Sequence, residues 1–99
     1  MEDYKEIRDI YQIGDLCDAL SNPIRVEILS ILRDHNKITI GELLREMEKR
    51  GMKMSHAGIR MHIPKLVFSG IVEMIKIDGK DGIVLKKDIR IYAKEVEVE

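Results

Sequence analysis

The chain predicts a mainly helical domain with a small β-hairpin, an α+β fold in the order helix-helix-helix-helix-strand-strand. Three observations predict it. Apolar residues recur at three- and four-residue steps from residue 7 to residue 67, the period of a helix. After Gly70 the period shortens and β-branched residues take over, in Ile71-Val72-Glu73-Met74-Ile75-Lys76-Ile77. Asp78-Gly79-Lys80-Asp81-Gly82 then supplies a turn before the partner strand Ile83-Val84-Leu85.

The first helix is expected over residues 4–20, where Ile10, Ile13, Cys17 and Leu20 repeat at helical steps with Ile7 and Leu16 beside them. Gly14 weakens it by about 1 kcal/mol relative to alanine. Asn22 is a good N-cap for the second helix, and Pro23 suits the first helical position, where its missing N–H costs nothing. Ile24, Ile28, Ile31 and Leu32 form its apolar stripe, and the helix is expected to end near Asp34, with His35-Asn36-Lys37 as a polar turn. The third helix starts at a capping box, Thr39-Ile40-Gly41-Glu42, with Ile38 and Leu43 as the hydrophobic staple. Leu43, Leu44 and Met47 supply its inward face, and Gly51 suits a left-handed position after its end.

The fourth helix is expected from Ser55 to Ser69, closed by Gly70, with Ile59, Ile63, Leu66 and Val67 inward and Ala57, Arg60, Met61, Pro64 and Phe68 mostly outward. Pro64 removes the hydrogen bond to the Arg60 carbonyl, at a cost of about 3 kcal/mol, and predicts a kink or an irregular N-terminal half. Ile89-Arg90-Ile91-Tyr92 reads as extended, and the acidic end over residues 93–99 as an edge strand or a frayed tail. Three short helices followed by a two-stranded ribbon form the winged helix-turn-helix arrangement, here with a leading helix in front. The chain then divides into the leading helix (4–20), a helical core (22–70), a wing (71–92) and the tail (93–99).

A length of 99 residues sets one domain, residues 1–99. With 44% hydrophobic and 35% charged residues it reads as folded and globular. A domain this small gains core by dimerising. No apolar run approaches the ~20 residues of a membrane span, and the polar, acidic start does not read as a signal peptide. The single cysteine, Cys17, excludes an internal disulfide and points to a reducing, cytoplasmic setting; a buried structural thiol is expected there rather than a bridge between two chains. Abundant Lys, Glu and Ile with Gln12 as the one glutamine lean towards a thermophile source.

Charge is distributed unevenly. Residues 1–48 hold 11 acids and 6 bases, whereas residues 49–72 hold Lys49, Arg50, Lys53, Arg60 and Lys65 and no acid at all. In a chain of formal net charge −1 such a patch points to a polyanion. The absence of Asp and Glu is expected of a helix that enters the major groove between phosphates.

Three segments carry a family resemblance. Leu20-Ser21-Asn22-Pro23-Ile24-Arg25-Val26-Glu27-Ile28-Leu29-Ser30-Ile31-Leu32 resembles the second-helix signature of ArsR-like winged-helix regulators, a prokaryotic family. Ile38-Thr39-Ile40-Gly41-Glu42-Leu43 resembles the start of their helix-turn-helix. Ile59-Arg60-Met61-His62-Ile63-Pro64-Lys65-Leu66, followed by Gly70-Ile71-Val72, resembles their recognition helix and its exit. The resemblance spans roughly residues 16–86 and implies a homodimeric, nucleoid-associated transcriptional regulator that binds double-stranded DNA. Many members sense metals through paired Cys on the third helix or Asp/His sets on a C-terminal helix. Residues 40–47 contain no Cys, and the C-terminal segment reads as strand without His, so no metal or other cofactor is expected. His56 and His62 point about 240° apart around a helix and do not share an ion.

On this reading Ser55, His56, Ala57, Arg60 and Met61 are base-facing, with Arg60 the candidate for a guanine contact because its fork suits O6 and N7. Lys49, Arg50, Lys53, Lys65, Lys76, Lys80, Lys86 and Lys87 are candidate phosphate contacts, with Gly79-Lys80 at the wing tip. Ile7, Ile10, Tyr11, Ile13 and Cys17 are candidates for the dimer interface. His56 is equally read as an idle surface residue, and His62 as a packed histidine with one hydrogen bond at the helix-turn-helix junction. Phe68 is read as closing the base of the wing or a dimer contact. No nucleophile elbow, phosphate-binding glycine loop or acid–base pair stands out, so an enzyme is not expected. Two alternatives remain: a winged-helix protein-interaction module of a larger complex, with an apolar patch around Met61, Pro64 and Phe68, or an architectural protein that binds structured RNA or DNA without sequence preference.

Overall fold

Asp9 ends the N-terminal segment by accepting hydrogen bonds on its side chain from the backbone N–H groups of Tyr11 and Gln12, and the first helix, α1 (Ile10–Ala19), starts there. The computed structural model describes residues 3–98; the first two residues, and Glu99 of the expected tail, lie outside the described residues. The leading helix is therefore shorter than the periodicity predicts. A side-chain cap at Asp9 satisfies the end of the helix, and residues 3–8 are irregular, with Ile7 packed from that segment against the core.

Asn22 caps α2 (Pro23–His35) by accepting from Ile24 N–H, with Pro23 in the first turn as expected. Asn36, at φ 65°, stops the helix and turns the chain into β1 (Lys37–Thr39). This strand is absent from the periodicity, because three residues show no period. Thr39 ends β1 and also caps α3 (Ile40–Lys49), accepting from Glu42 N–H at 3.1 Å. Gly51 takes the left-handed conformation, φ 84°, after α3.

Ser55 caps α4 (His56–Phe68), accepting from Gly58 N–H at 3.0 Å. The helix runs without interruption through Pro64, so the irregular N-terminal half expected from proline is not found. β2 (Val72–Ile77) and β3 (Lys80–Leu85) follow as an antiparallel hairpin. Its turn is Asp78-Gly79 alone, both at positive φ, the signature of a two-residue type I′ turn. Lys80, Asp81 and Gly82, expected in the turn, are the first half of β3.

β1 pairs antiparallel with β3, giving a three-stranded sheet in the order β1-β3-β2 rather than a two-stranded ribbon. Gly82 permits it: a Cβ there would lie 2.8 Å from the Ile38 carbonyl oxygen and 2.7 Å from Ile77 Cδ1. The core joins Ile28, Ile31 and Leu32 of α2, Leu43 and Met47 of α3, Ile59, Ile63 and Leu66 of α4, and Ile38, Ile71 and Ile83 around the sheet. Residues 86–98 form no regular secondary structure, so the strands of the wing end at Leu85 rather than residue 92. Arg33 holds the start of this segment through Asp88 at 3.0 Å, and Tyr92 meets Tyr4 edge to face.

Candidate nucleic-acid interface

α3, the turn over residues 50–55 and α4 form the helix-turn-helix. The two caps, Thr39 and Ser55, define where each helix begins, and the N-terminal turn of α4 lies at the surface. Ser55, His56, Ala57, Arg60 and Met61 are all exposed there. They divide into two stripes at i, i+4 spacing, His56 with Arg60 and Ala57 with Met61. His56 and Arg60 line a cleft completed by Thr39–Glu42 and Arg45 from the start of α3 and by Lys80 and Asp81 from the wing. Ala57 and Met61 lie outside its lining.

Arg45 is the residue the charge pattern misses. It sits in the acidic half of the chain, between Glu42 and Glu46, where a charge count hides it. The signal was its place on α3: with Gly41 and Glu42 it occupies the outer face, away from Leu43 and Met47. Its guanidinium reaches back over Gly41, with Nη1 3.8 Å from where a Cβ would stand.

The acid-free stretch of sequence is not acid-free in space. Arg60 Nη2 donates to Asp81 Oδ2 at 2.9 Å, and Lys76 Nζ donates to the other oxygen of the same carboxylate. Lys49 pairs with Glu46 at 3.0 Å, Arg50 with Glu27 at 2.7 Å, and Lys65 with Asp18 at 2.8 Å. Lys86 pairs with Glu73 at 3.5 Å, at the base of the wing. Lys87 also lies at that base: its backbone N–H donates to the Ile71 carbonyl, and its Nζ approaches Gly70. Neither Lys86 nor Lys87 stands beside the wing tip. Among the described residues no ion pair holds Lys53 or Lys80. The neighbouring cations hold the carboxyls of Asp81 (Lys76, then Arg60), Asp18 (Lys65) and Glu46 (Lys49) below their ordinary range.

The C-terminal half of α4 is tied to the body of the domain. Buried Arg25 donates through Nε to the Ala19 carbonyl at 2.8 Å and through Nη2 to the Asp18 carbonyl at 3.0 Å, closing the C-terminus of α1. Its Nη1 lies 3.1 Å from His62 Nδ1. A guanidinium only donates, so Nδ1 accepts and the imidazole is neutral with its proton on Nε2. Burial and, secondarily, the Arg25 charge push His62 below the ordinary histidine value of 6.5. His62 thus makes the single hydrogen bond expected of it, but at the junction of α1, α2 and α4 rather than between α3 and α4.

The remaining expectations divide. Cys17 is exposed, not buried, because Leu16 and Ala19 form the inward face of α1. Ile10 (74%), Tyr11 (81%) and Ile13 (39%) share the exposed side, whereas Ile7 is partly covered within the domain. Val67 is on the surface at 37%, not in the core stripe. Phe68 is 78% exposed and does not close the wing base; with Ile63, Pro64, Val67 and Met74 it borders an open apolar groove between α4 and β2. No helix among the described residues is long and apolar enough to cross a membrane.

No protein-family model matches the chain, and no curated protein matches it at a significant level. Solved structures do. HlyU from Vibrio cholerae superposes with a TM-score of 0.67 at 24% identity, covering 83% of each chain. The transcriptional repressor BigR from Xylella fastidiosa gives 0.65 at 20% identity over 79% of this chain and 74% of its own. The homodimeric winged helix-turn-helix DNA-binding domain of Mb0332 from Mycobacterium bovis, a possible ArsR-family regulator, gives 0.65 at 17% identity over 85% and 77%. Helix-turn-helix, hairpin and a third strand against the wing, with the superposition on these neighbours, make this chain a winged helix-turn-helix domain.

Proposed function

We propose that the chain is a sequence-specific double-stranded DNA-binding protein, a homodimeric ArsR-like transcriptional regulator that places the N-terminal half of α4 in the major groove and its wing on the backbone. The observation that carries this reading is the cleft where α3, α4 and β3 bring Arg45, His56, Arg60 and Lys80 onto one face. A duplex fits such a face in three parts. Arg60 offers its fork to a guanine edge. Arg45, Lys53 and Lys80 neutralise phosphates. The free N–H groups at the start of α4 donate to a further phosphate oxygen. The structural neighbours support the reading, since BigR is a repressor and Mb0332 contains a homodimeric DNA-binding domain.

The exposed side of α1, with Ile10, Tyr11, Ile13 and Cys17, is the proposed dimer surface. Two protomers joined there present two copies of α4 to half-sites about one helical turn apart on a palindrome. Lys49, Arg50 and Lys65, already paired within the chain, contribute less to DNA than the unpaired cations do.

Selection of bound duplexes from a random library at two salt concentrations tests the proposal. Enrichment of a palindromic site is expected, with log K falling against log salt at a slope of roughly −7 if each protomer neutralises about four phosphates. Absence of duplex binding at low salt overturns it. One observation favours a protein-interaction module instead: the groove bordered by Ile63, Pro64, Val67, Phe68 and Met74, with Met61 78% exposed nearby. That reading predicts no enriched site and wild-type duplex affinity for Arg60→Ala.

A further inference from the structure

Asp81 is an acid inside a surface whose other charged side chains are mostly cations. It stands on β3 directly across from Lys76 of β2, so the Lys76 contact is a cross-strand pair fixed by register. Its second oxygen reaches out of the sheet to Arg60 on α4, 21 positions earlier in the chain. One carboxylate thus joins both arms of the wing to the recognition helix. Neighbouring Glu42 also lines the cleft but forms no such link. Lys76, and then Arg60, lower the Asp81 carboxyl below its ordinary range.

Resting on the duplex-binding reading above, we infer that Asp81 is a specificity-determining positioning residue, which sets the Arg60 guanidinium for base reading and restrains Arg60 and Lys76 from binding phosphate indiscriminately. Arg60 has five N–H donors and gives one to Asp81. The rest remain for a base edge, and the plane of the fork is set before DNA arrives, so less side-chain freedom is lost on binding. Asp81 also acts against the wrong duplex. It reduces the charge of the Arg60–Lys76 pair by one, which weakens binding to a backbone that offers phosphate but no matching base. Without it both cations become mobile point charges that any sequence satisfies.

The test is Asp81→Asn, which keeps the shape and removes the charge, alone and combined with Arg60→Ala. Affinities are measured by fluorescence anisotropy for a duplex recovered by library selection and for a random-sequence duplex of equal length, across a salt series. Thermal melting checks that each variant is folded. Asp81→Asn is expected to bind random duplex severalfold more tightly, with a salt slope steeper by about 0.9 per protomer for each phosphate gained. Its preference for the selected duplex is expected to fall by about tenfold. In the Arg60→Ala background Asp81→Asn is expected to leave that preference unchanged, because Asp81 acts through Arg60. An unchanged preference in the single variant, or an equal loss in both backgrounds, overturns the role of Asp81 while leaving DNA binding intact. Failure of the wild-type protein to bind either duplex overturns the DNA reading and the role of Asp81 together.

Discussion

The N-terminal half of α4 and its C-terminal half both belong to a stretch without acids, yet they meet different neighbours. His56 and Arg60 face a cleft shared with α3 and the wing. His62 and Lys65 face α1 and α2, where Arg25 and Asp18 hold them. Arg60 in the first half gives one donor to Asp81 and keeps the others free of partners among the described residues, whereas Lys65 in the second half ties the helix to α1. Cations of one acid-free stretch thus line an open cleft in one half and tie the helix to the body of the domain in the other. Position around the helix decides which: Arg60 lies on the wing side, and Lys65, 500° further on at 100° per residue, lies on the α1 side.

Variants that act on one half and spare the other would break this division. Arg25→Ala carries the largest expected effect. It strips hydrogen bonds from two carbonyls at the end of α1 and from His62, and is expected to cost about 3 kcal/mol in urea unfolding. If the two halves are separate in function, preference among duplexes survives in the folded fraction. Arg60→Ala is the converse: about a tenfold loss of preference between selected and random duplex with an almost unchanged Tm. A melting shift as large as that of Arg25→Ala would place Arg60 with the architectural residues instead.

A pH titration sharpens the comparison further. His62 titrates below 6.5 in the fold, so between its folded value and 6.5 the unfolded chain binds more protons. Its contribution to stability is complete above about 6.5 and is lost as pH falls through the folded value. Urea midpoints measured from about pH 7 to pH 5 are expected to fall more steeply for wild type than for His62→Gln, which has no proton to gain there. The smallest effect belongs to Lys65→Met. Both partners of its ion pair are more than half exposed, so only a slight and salt-sensitive loss of stability is expected. A large loss of duplex affinity in this variant would return Lys65 to the DNA surface.

Much of the framework was legible in the residues because it rests on local chemistry. Asn22-Pro23, Thr39 with Glu42, Ser55 and Asp78-Gly79 each act on a backbone group within a few positions, and each does so in the structure. The start of α1 was misjudged because apolar spacing continues upstream to Ile7, although Asp9 already caps the helix. β1 escaped because three residues carry no period; it exists through pairing with β3, which lies more than 40 residues later. In the cleft, Arg60 and Lys80 were legible as isolated cations in a basic or turn segment. Arg45 was not, since Glu42, Glu46 and Glu48 surround it in the chain, whereas the fold sets it beside His56, Arg60 and Lys80 in the cleft.

The sequence by itself determined the four helices, the caps at Asn22 and Thr39, the place of the hairpin and the presence of a basic stretch, because helix period, capping and turn chemistry act over four residues or fewer. The tertiary structure alone decided which cations are available. Pairs such as Arg60 with Asp81, Lys65 with Asp18 and Arg50 with Glu27 join residues 20 or more positions apart, and an ion pair depends on distance in space. The count of charges along the chain marked a basic stretch; the fold determined which of its cations are paired within the domain and which stand at the cleft.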